Sequence, residues 1–198
     1  MKKTKKGKLF VVSGPSGVGK SSLVKDALAE LKNFDKSISV TTRAIREGEI
    51  EGRHYCFISE ADFKDLINKD ELIEWADYCG NYYGTLKKTV MDSIEKGKNL
   101  ILVIDVNGAM QVKKTIKDAY LIFITTSDFF QLEKRLKRRQ TENIKSIEER
   151  LKKAKEELMY EKHYDCIIVN NNYNEALKNL KYVLISKAEG EFDEHTEC

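Results

Sequence analysis

The chain has 198 residues, 41% of them hydrophobic and 34% charged, with a formal net charge of +3. This length and balance describe one or two globular domains with a buried core and exclude a disordered chain. The weak positive charge is no nucleic-acid footprint by itself, and no stretch is long and apolar enough to span a membrane, so neither partner is expected.

Met1 to Lys6 reads as a basic, solvated tail, because the apolar run behind it is too short for the core of a secretory leader. Lys8-Leu9-Phe10-Val11-Val12-Ser13 is a β-branched apolar run, hence a buried strand. Gly14-Pro15-Ser16-Gly17-Val18-Gly19-Lys20-Ser21 follows as a complete G-x-x-x-x-G-K-[ST] phosphate loop. Ser22 to Leu31 then repeats Leu23, Ala27, Leu28 and Leu31 at helical spacing. Strand, glycine turn and helix form the context that the motif requires. Such a loop wraps an anion without Cβ clashes and points backbone N–H groups at it. Lys20 adds a charge for the terminal phosphates, and the Ser21 hydroxyl is placed to hold Mg²⁺. Gly14 to Ser21, with Ser22 beside them, are thus the expected ATP-binding residues.

Ser37 to Thr42 alternates like a strand, and Arg43 to Arg53, with two glycines and many charges, reads as an exposed loop. Tyr55 to Ile58 is a short strand. Ser59-Glu60-Ala61-Asp62 is a capping-box pattern opening a helix to about Asn68. Leu72 to Ala76 is strand-like, Asn81 to Gly84 reads as a turn, and Leu86 to Lys96 as a helix stopped by Gly97. Asn99 to Asp105 and Ala119 to Ile124 are near-continuous apolar runs, as in strands of a parallel sheet covered on both faces. Gly108 to Ile116 is a helix between them. Ser127 or Asp128 caps a helix running to about Arg139. Ser146-Ile147-Glu148-Glu149 reads as a second capping box, opening a helix with Ile147, Leu151, Ala154 and Leu158 on one face. Asp165 to Asn170 is the last core strand, Asn174 to Ser186 the last helix, and Gly190 to Cys198 an acidic, frayed tail. Cys56, Cys79, Cys166 and Cys198 are scattered without C-x-x-C spacing. They indicate neither a zinc site nor a redox pair, and reduced thiols in a cytoplasmic protein are expected.

Alternating buried strands and helices predict an α/β fold: a central parallel sheet with right-handed crossovers, flanked by helices. The phosphate loop and Asp105 then share the carboxyl edge, where open α/β sheets bind ligands. The expected division is core 1–36, a small mixed insert 37–96, core 97–126, a helical lid 127–160, and core and tail 161–198.

A phosphate loop implies a nucleoside triphosphate and Mg²⁺, not what is done with them. A GTPase reading finds D-x-x-G in Asp105-Val106-Asn107-Gly108, but its guanine motif N-K-x-D has only Asn68-Lys69-Asp70-Glu71 as a match, at a helix end. A remodelling ATPase reading lacks a second acid after Asp105. Phosphoryl transfer to a second small phosphorylated molecule needs a second anion site. Arg43 and Arg46, three apart beside Tyr55, supply the forks and hydroxyl for one.

Ser39-Val40-Thr41-Thr42-Arg43-Ala44-Ile45-Arg46-Glu47-Gly48-Glu49, with Gly52, Tyr55 and Phe57, resembles the signature of guanylate kinases. Glu74-Trp75, Asn81 to Thr85, Ile104 to Ala109, Arg135-Leu136, Arg139, Arg150-Leu151 and Ile168 to Asn170 follow in that family's order and spacing. The resemblance runs from Leu9 to about Ile185. It implies a P-loop NTPase fold and ATP-dependent phosphorylation of GMP to GDP, in purine nucleotide metabolism. By position, Arg43, Arg46, Tyr55 and Tyr83 would hold the GMP phosphate, with Glu49 orienting the arginines. Ser39, Glu74, Thr85 and Asp105 would read guanine, whose N1–H and N2–H₂ suit a carboxylate and whose O6 suits a hydroxyl. Asn170 falls with the ATP site. Lys20, Arg43, Arg46, Arg135, Arg139 and Arg150 are the expected catalytic cations, in a monomer or homodimer. Two departures stand out. Ile45 replaces the family's proline between the loop arginines, and Gln140 replaces its glycine in the lid turn. The alternatives are a catalytically weak binding module of the same family and a P-loop GTPase. Intact Lys20 speaks against the first.

Overall fold

The structure is a computed structural model that describes residues 6–78, 80–137 and 144–190, the side chains of 136, 137 and 144–148 aside. Its main sheet contains β1 (Leu9–Ser13), β2 (Phe34–Lys36), β7 (Asn99–Val103), β8 (Tyr120–Thr125) and β9 (Cys166–Val169). The spatial order is β2-β7-β1-β8-β9, and every pairing is parallel. The expected α/β architecture is therefore present.

β1 sits at the centre and is buried along its whole length. Its alternation divides the core in two. Phe10 and Val12 point into a cluster with Leu23, Val24 and Ala27 of α1 (Lys20–Glu30) and Leu180 and Leu184 of α7 (Tyr173–Glu189). Leu9 and Val11 point into a second cluster with Val90 of α3 (Lys87–Glu95) and Val112 of α4 (Val106–Thr115). Covering both faces explains why the core strands read as unbroken apolar runs.

A second, four-stranded sheet orders β4 (Cys56–Phe57), β3 (Val40–Thr41), β6 (Asn81–Leu86) and β5 (Leu72–Tyr78). Here β3 and β4 run parallel, while β6 runs antiparallel to both β3 and β5. Its own core is Val40, Leu72 and Phe63 of α2 (Glu60–Asn68), with Phe63 stacked on Tyr82 at 5.3 Å. Ser59 caps α2 by accepting from Asp62 N–H, as its pattern predicts, although Asp62 turns back onto the Ser59 hydroxyl at 2.6 Å.

Several local expectations change. The alternating run Ser37 to Thr42 is divided between sheets: Ser37 N–H donates to the Ile101 carbonyl of β7, while Val40 and Thr41 pair with β6. Asn81 to Gly84 is strand, not turn, because Tyr82 and Tyr83 face Asp77 and Ala76 across β5. α5 (Phe129–Lys137) opens on Asp128, which accepts from Gln131 N–H at 2.7 Å. α6 (Ile144–Leu158) begins before Ser146, so the pattern read there as a capping box lies inside the helix. Cys56 is a free thiol. The expectations for Met1 to Lys5, Cys79, Arg139, Gln140 and 191–198 lie outside the described residues.

Candidate active site

The loop between β1 and α1 is shaped by glycine. Gly14 has φ +132°, and a Cβ there would stand 2.1 Å from the Ile124 carbonyl oxygen of β8. Only glycine fits a turn that passes so close to a neighbouring strand. α1 starts at Gly19 with no side-chain cap and no acid in its first turn, which leaves an electropositive helix end for an anion. Lys20 lies across the loop, its Nζ donating to the carbonyls of Gly14 at 2.6 Å and Pro15 at 2.9 Å. Ser21 and Ser22 are exposed on the first turn of α1. Asn170, just beyond β9, donates from Nδ2 to the Val18 carbonyl at 2.7 Å, and its own carbonyl accepts from Arg135 Nη2 at 2.7 Å. The loop is thus braced from β8, from β9 and through α5.

A second cluster lies on the small sheet. Arg43 Nη2 forks onto Glu49 at 2.7 and 3.0 Å, and its guanidinium lies 5.5 Å from the Tyr55 ring and 5.7 Å from the Phe57 ring. The other Glu49 bond goes to the backbone N–H of Arg46 at 2.9 Å. Glu49 therefore ties the two arginines into one loop, and the Arg46 residue itself stays exposed. Hydrogen bonding to Glu49 raises the Arg43 pKa, with the Tyr83 hydroxyl adding to it, and the same contact lowers that of Glu49. Tyr55 and Tyr83 meet edge to face at 6.0 Å. Planar guanidinium donors and tyrosine hydroxyls held together in this way have the chemistry that suits an anion. Ser39 lies half-buried before β3, its carbonyl accepting from Cys56 N–H.

The third cluster joins the sheets. The β5 register slips between Leu72 and Glu74, and bulges of this kind re-aim side chains. Glu74 is left 5% exposed, accepting from the Thr85 hydroxyl of β6 at 2.6 Å. Burial pushes its pKa up to about 7; the Thr85 bond opposes that shift and nearby Asp105 adds to it. Gly108 lies against this carboxylate, since a Cβ there would stand 2.7 Å from Glu74 Oε2. Asp105 caps α4 by accepting from Gly108 N–H at 2.9 Å. The D-x-x-G match is therefore a helix cap, and Asn68-Lys69-Asp70-Glu71 ends α2, so no guanine-reading pair of the GTPase kind is assembled. Gln111 of α4 clamps the Trp75 backbone at N–H and C=O, at 3.1 and 2.9 Å, and so fixes β5 to the core.

α6 connects the clusters. Lys153 reaches Asp105 at 3.3 Å and lies 5.1 Å from the Tyr78 ring, while Arg150 Nε donates to the Tyr78 hydroxyl at 3.3 Å. Lys153, Tyr78 and Glu157 are absent from the residues singled out in the sequence. The spacing 150, 153, 157 lies on one helical face, beside the apolar face that drew the sequence reading. Among the described residues, no group of three or more His, Cys, Asp or Glu could hold a metal ion, and no helix is long and apolar enough to cross a membrane.

Known proteins carry the same pattern. The guanylate kinase family model matches residues 6–187. A guanylate kinase of Prochlorococcus marinus NATL2A is 42% identical, over 88% of this chain and 94% of its own. One from Carboxydothermus hydrogenoformans is 43% identical, over 92% of this chain and 89% of its own. The crystal structure of guanylate kinase from Anaplasma phagocytophilum superposes with a TM-score of 0.76 at 32% identity, covering 93% of this chain and 88% of that one. A match that spans both sheets, the phosphate loop and α6 leaves one conclusion: the chain belongs to the guanylate kinase family.

Proposed function

We propose that the protein transfers the γ-phosphoryl group of ATP to GMP, and to dGMP, with the roles divided among the three clusters. The observation that carries the reading is the buried Glu74–Thr85 pair beside Asp105. A buried carboxylate and hydroxyl meet the donors and acceptor on guanine's Watson–Crick edge, whereas adenine would leave them unpaired. Ser39 stands at the same end of the small sheet. Arg43, Arg46, Tyr55 and Tyr83 hold the acceptor phosphate, with Glu49 keeping the forks in place. Gly14 to Ser22 hold the donor phosphates, and Asn170 braces that loop.

The acceptor is a phosphate oxygen, ionised near neutral pH, so no general base is needed; catalysis is positioning and charge stabilisation. Lys20 leaves its loop carbonyls to follow the moving phosphoryl group. Arg135 and Arg150, with Arg139 beyond the described residues, close over it and exclude water. Ser21 fits Mg²⁺, a hard cation that takes few protein ligands beside phosphate oxygens, and when bound it would neutralise their charge. This division makes 37–96 the acceptor unit and 127–160 the lid, in a cytoplasmic enzyme acting as a monomer or homodimer.

The test is ADP release with GMP, dGMP, AMP and UMP in turn. Turnover of GMP and dGMP at least a hundredfold above AMP and UMP is expected. Equal turnover of AMP, or none of GMP, contradicts the reading.

A further inference from the structure

One charged group on α6 is left unused by this scheme. Glu157, in the last turn, is 8% exposed. A buried carboxylate is normally bonded through both oxygens, yet Glu157 Oε2 has no hydrogen-bond partner among the described residues. Burial raises its pKa, and three groups pull it back towards the charged form: Lys20, Lys153 and the backbone N–H of Ser16. Asp105 is the like charge nearby. Lys20 and the Ser16 N–H belong to the phosphate loop. These are the donors that a phosphate oxygen would use there. Packing alone does not account for the residue, because an apolar side chain of similar volume would fill the position without desolvating a charge.

We propose that Glu157 is a positioning residue that stands in for a donor phosphate: its carboxylate seats the end of α6 on the phosphate loop, and the arriving triphosphate expels it. The inference rests on the reading of Gly14 to Ser22 as the donor site. It gives ATP binding a mechanical consequence. The same helix face holds Lys153 on Asp105 and Arg150 on Tyr78. Releasing Glu157 lets α6 move and brings these cations to the phosphates instead. The lid then responds to the donor through one ion cluster.

The test uses the full chain and two probes, MgATP and magnesium tripolyphosphate. Glu157→Gln keeps the shape and removes the like charge. Calorimetric titration is expected to show both probes bound about fivefold tighter or better, with GMP affinity unchanged. In the unmutated protein, tripolyphosphate alone is expected to speed amide exchange across 154–160. A folded Glu157→Gln protein with unchanged or weaker triphosphate binding overturns the proposal. So does unchanged or slower exchange at 154–160, a measurement that decides the matter even if the variant does not fold. A purely structural role would move the melting temperature and leave triphosphate affinity alone. Failure of the unmutated protein to bind MgATP would instead remove the donor-site reading, and this inference with it.

Discussion

At the residue scale, the proposed preference for guanine rests on one carboxylate kept in an unfavourable place. Glu74 has its pKa raised to about 7, first by burial. The folded protein therefore holds this proton more tightly than the unfolded chain. Its contribution to stability is fully present below about pH 4.5 and is lost as pH rises through 7. At pH 8 the buried charge costs the unliganded fold about 3 kcal/mol. Glu74→Gln is expected to melt higher by about 5 °C or more at pH 8, and by little at pH 5, in calorimetric scans. The same variant should lose GMP affinity and keep ATP affinity. In the proposed reading guanine's N–H groups require the carboxylate, so GMP affinity of the unmutated protein is expected to fall as pH drops below 7. Titration of the GMP phosphate affects both proteins alike, so only this part of the slope should vanish in Glu74→Gln. An identical slope in both removes Glu74 from guanine reading. For the cations, Lys20→Ala and Arg46→Ala are each expected to lower kcat about 10²–10³-fold; unchanged turnover in either would remove its assigned role.

At the element scale, the small sheet depends on a thin core. Phe63 is fully buried in it, clustered with Val40 and Leu72. Phe63→Ala should cost about 3–5 kcal/mol. It should raise the KM for GMP more than that for ATP, because β5 and β6 carry Glu74 and Thr85 while the phosphate loop belongs to the other core. Equal effects on both substrates would mean the two sheets do not act separately. The elements also show what the sequence made legible. β1, β7 and β8 were plain because strands covered on both faces need uninterrupted apolar residues. β2 was hidden, since at an edge only Phe34 is buried. The start of β6 reads as a turn in the sequence because Asn-Tyr-Tyr-Gly looks like a loop signal, and its pairing with β5 is a tertiary fact. The run from Ser37 to Thr42 has one alternation but serves two sheets, and local periodicity does not contain that break.

On the scale of the whole molecule, the phosphate loop and the acceptor motif are legible because their chemistry demands fixed residue types at fixed spacing. The coupling between them is not. Arg150, Lys153 and Glu157 lie far along the chain from Lys20, Tyr78 and Asp105, and only the fold brings α6 across both. The bulge that buries Glu74 and the Gln111 clamp that fixes β5 to α4 are likewise products of packing. In the proposed division the main sheet carries the donor site and the small sheet the acceptor site, with the charged helix α6 reaching Asp105 and Tyr78. A crystal structure of the protein with MgADP and GMP bound together tests this most directly. Guanine is expected against Glu74 and Thr85, its phosphate on Arg43 and Arg46, and Lys20 turned from the Gly14 and Pro15 carbonyls to the ADP phosphates. Guanine bound away from the small sheet, or Lys20 facing solvent with both nucleotides present, would contradict it.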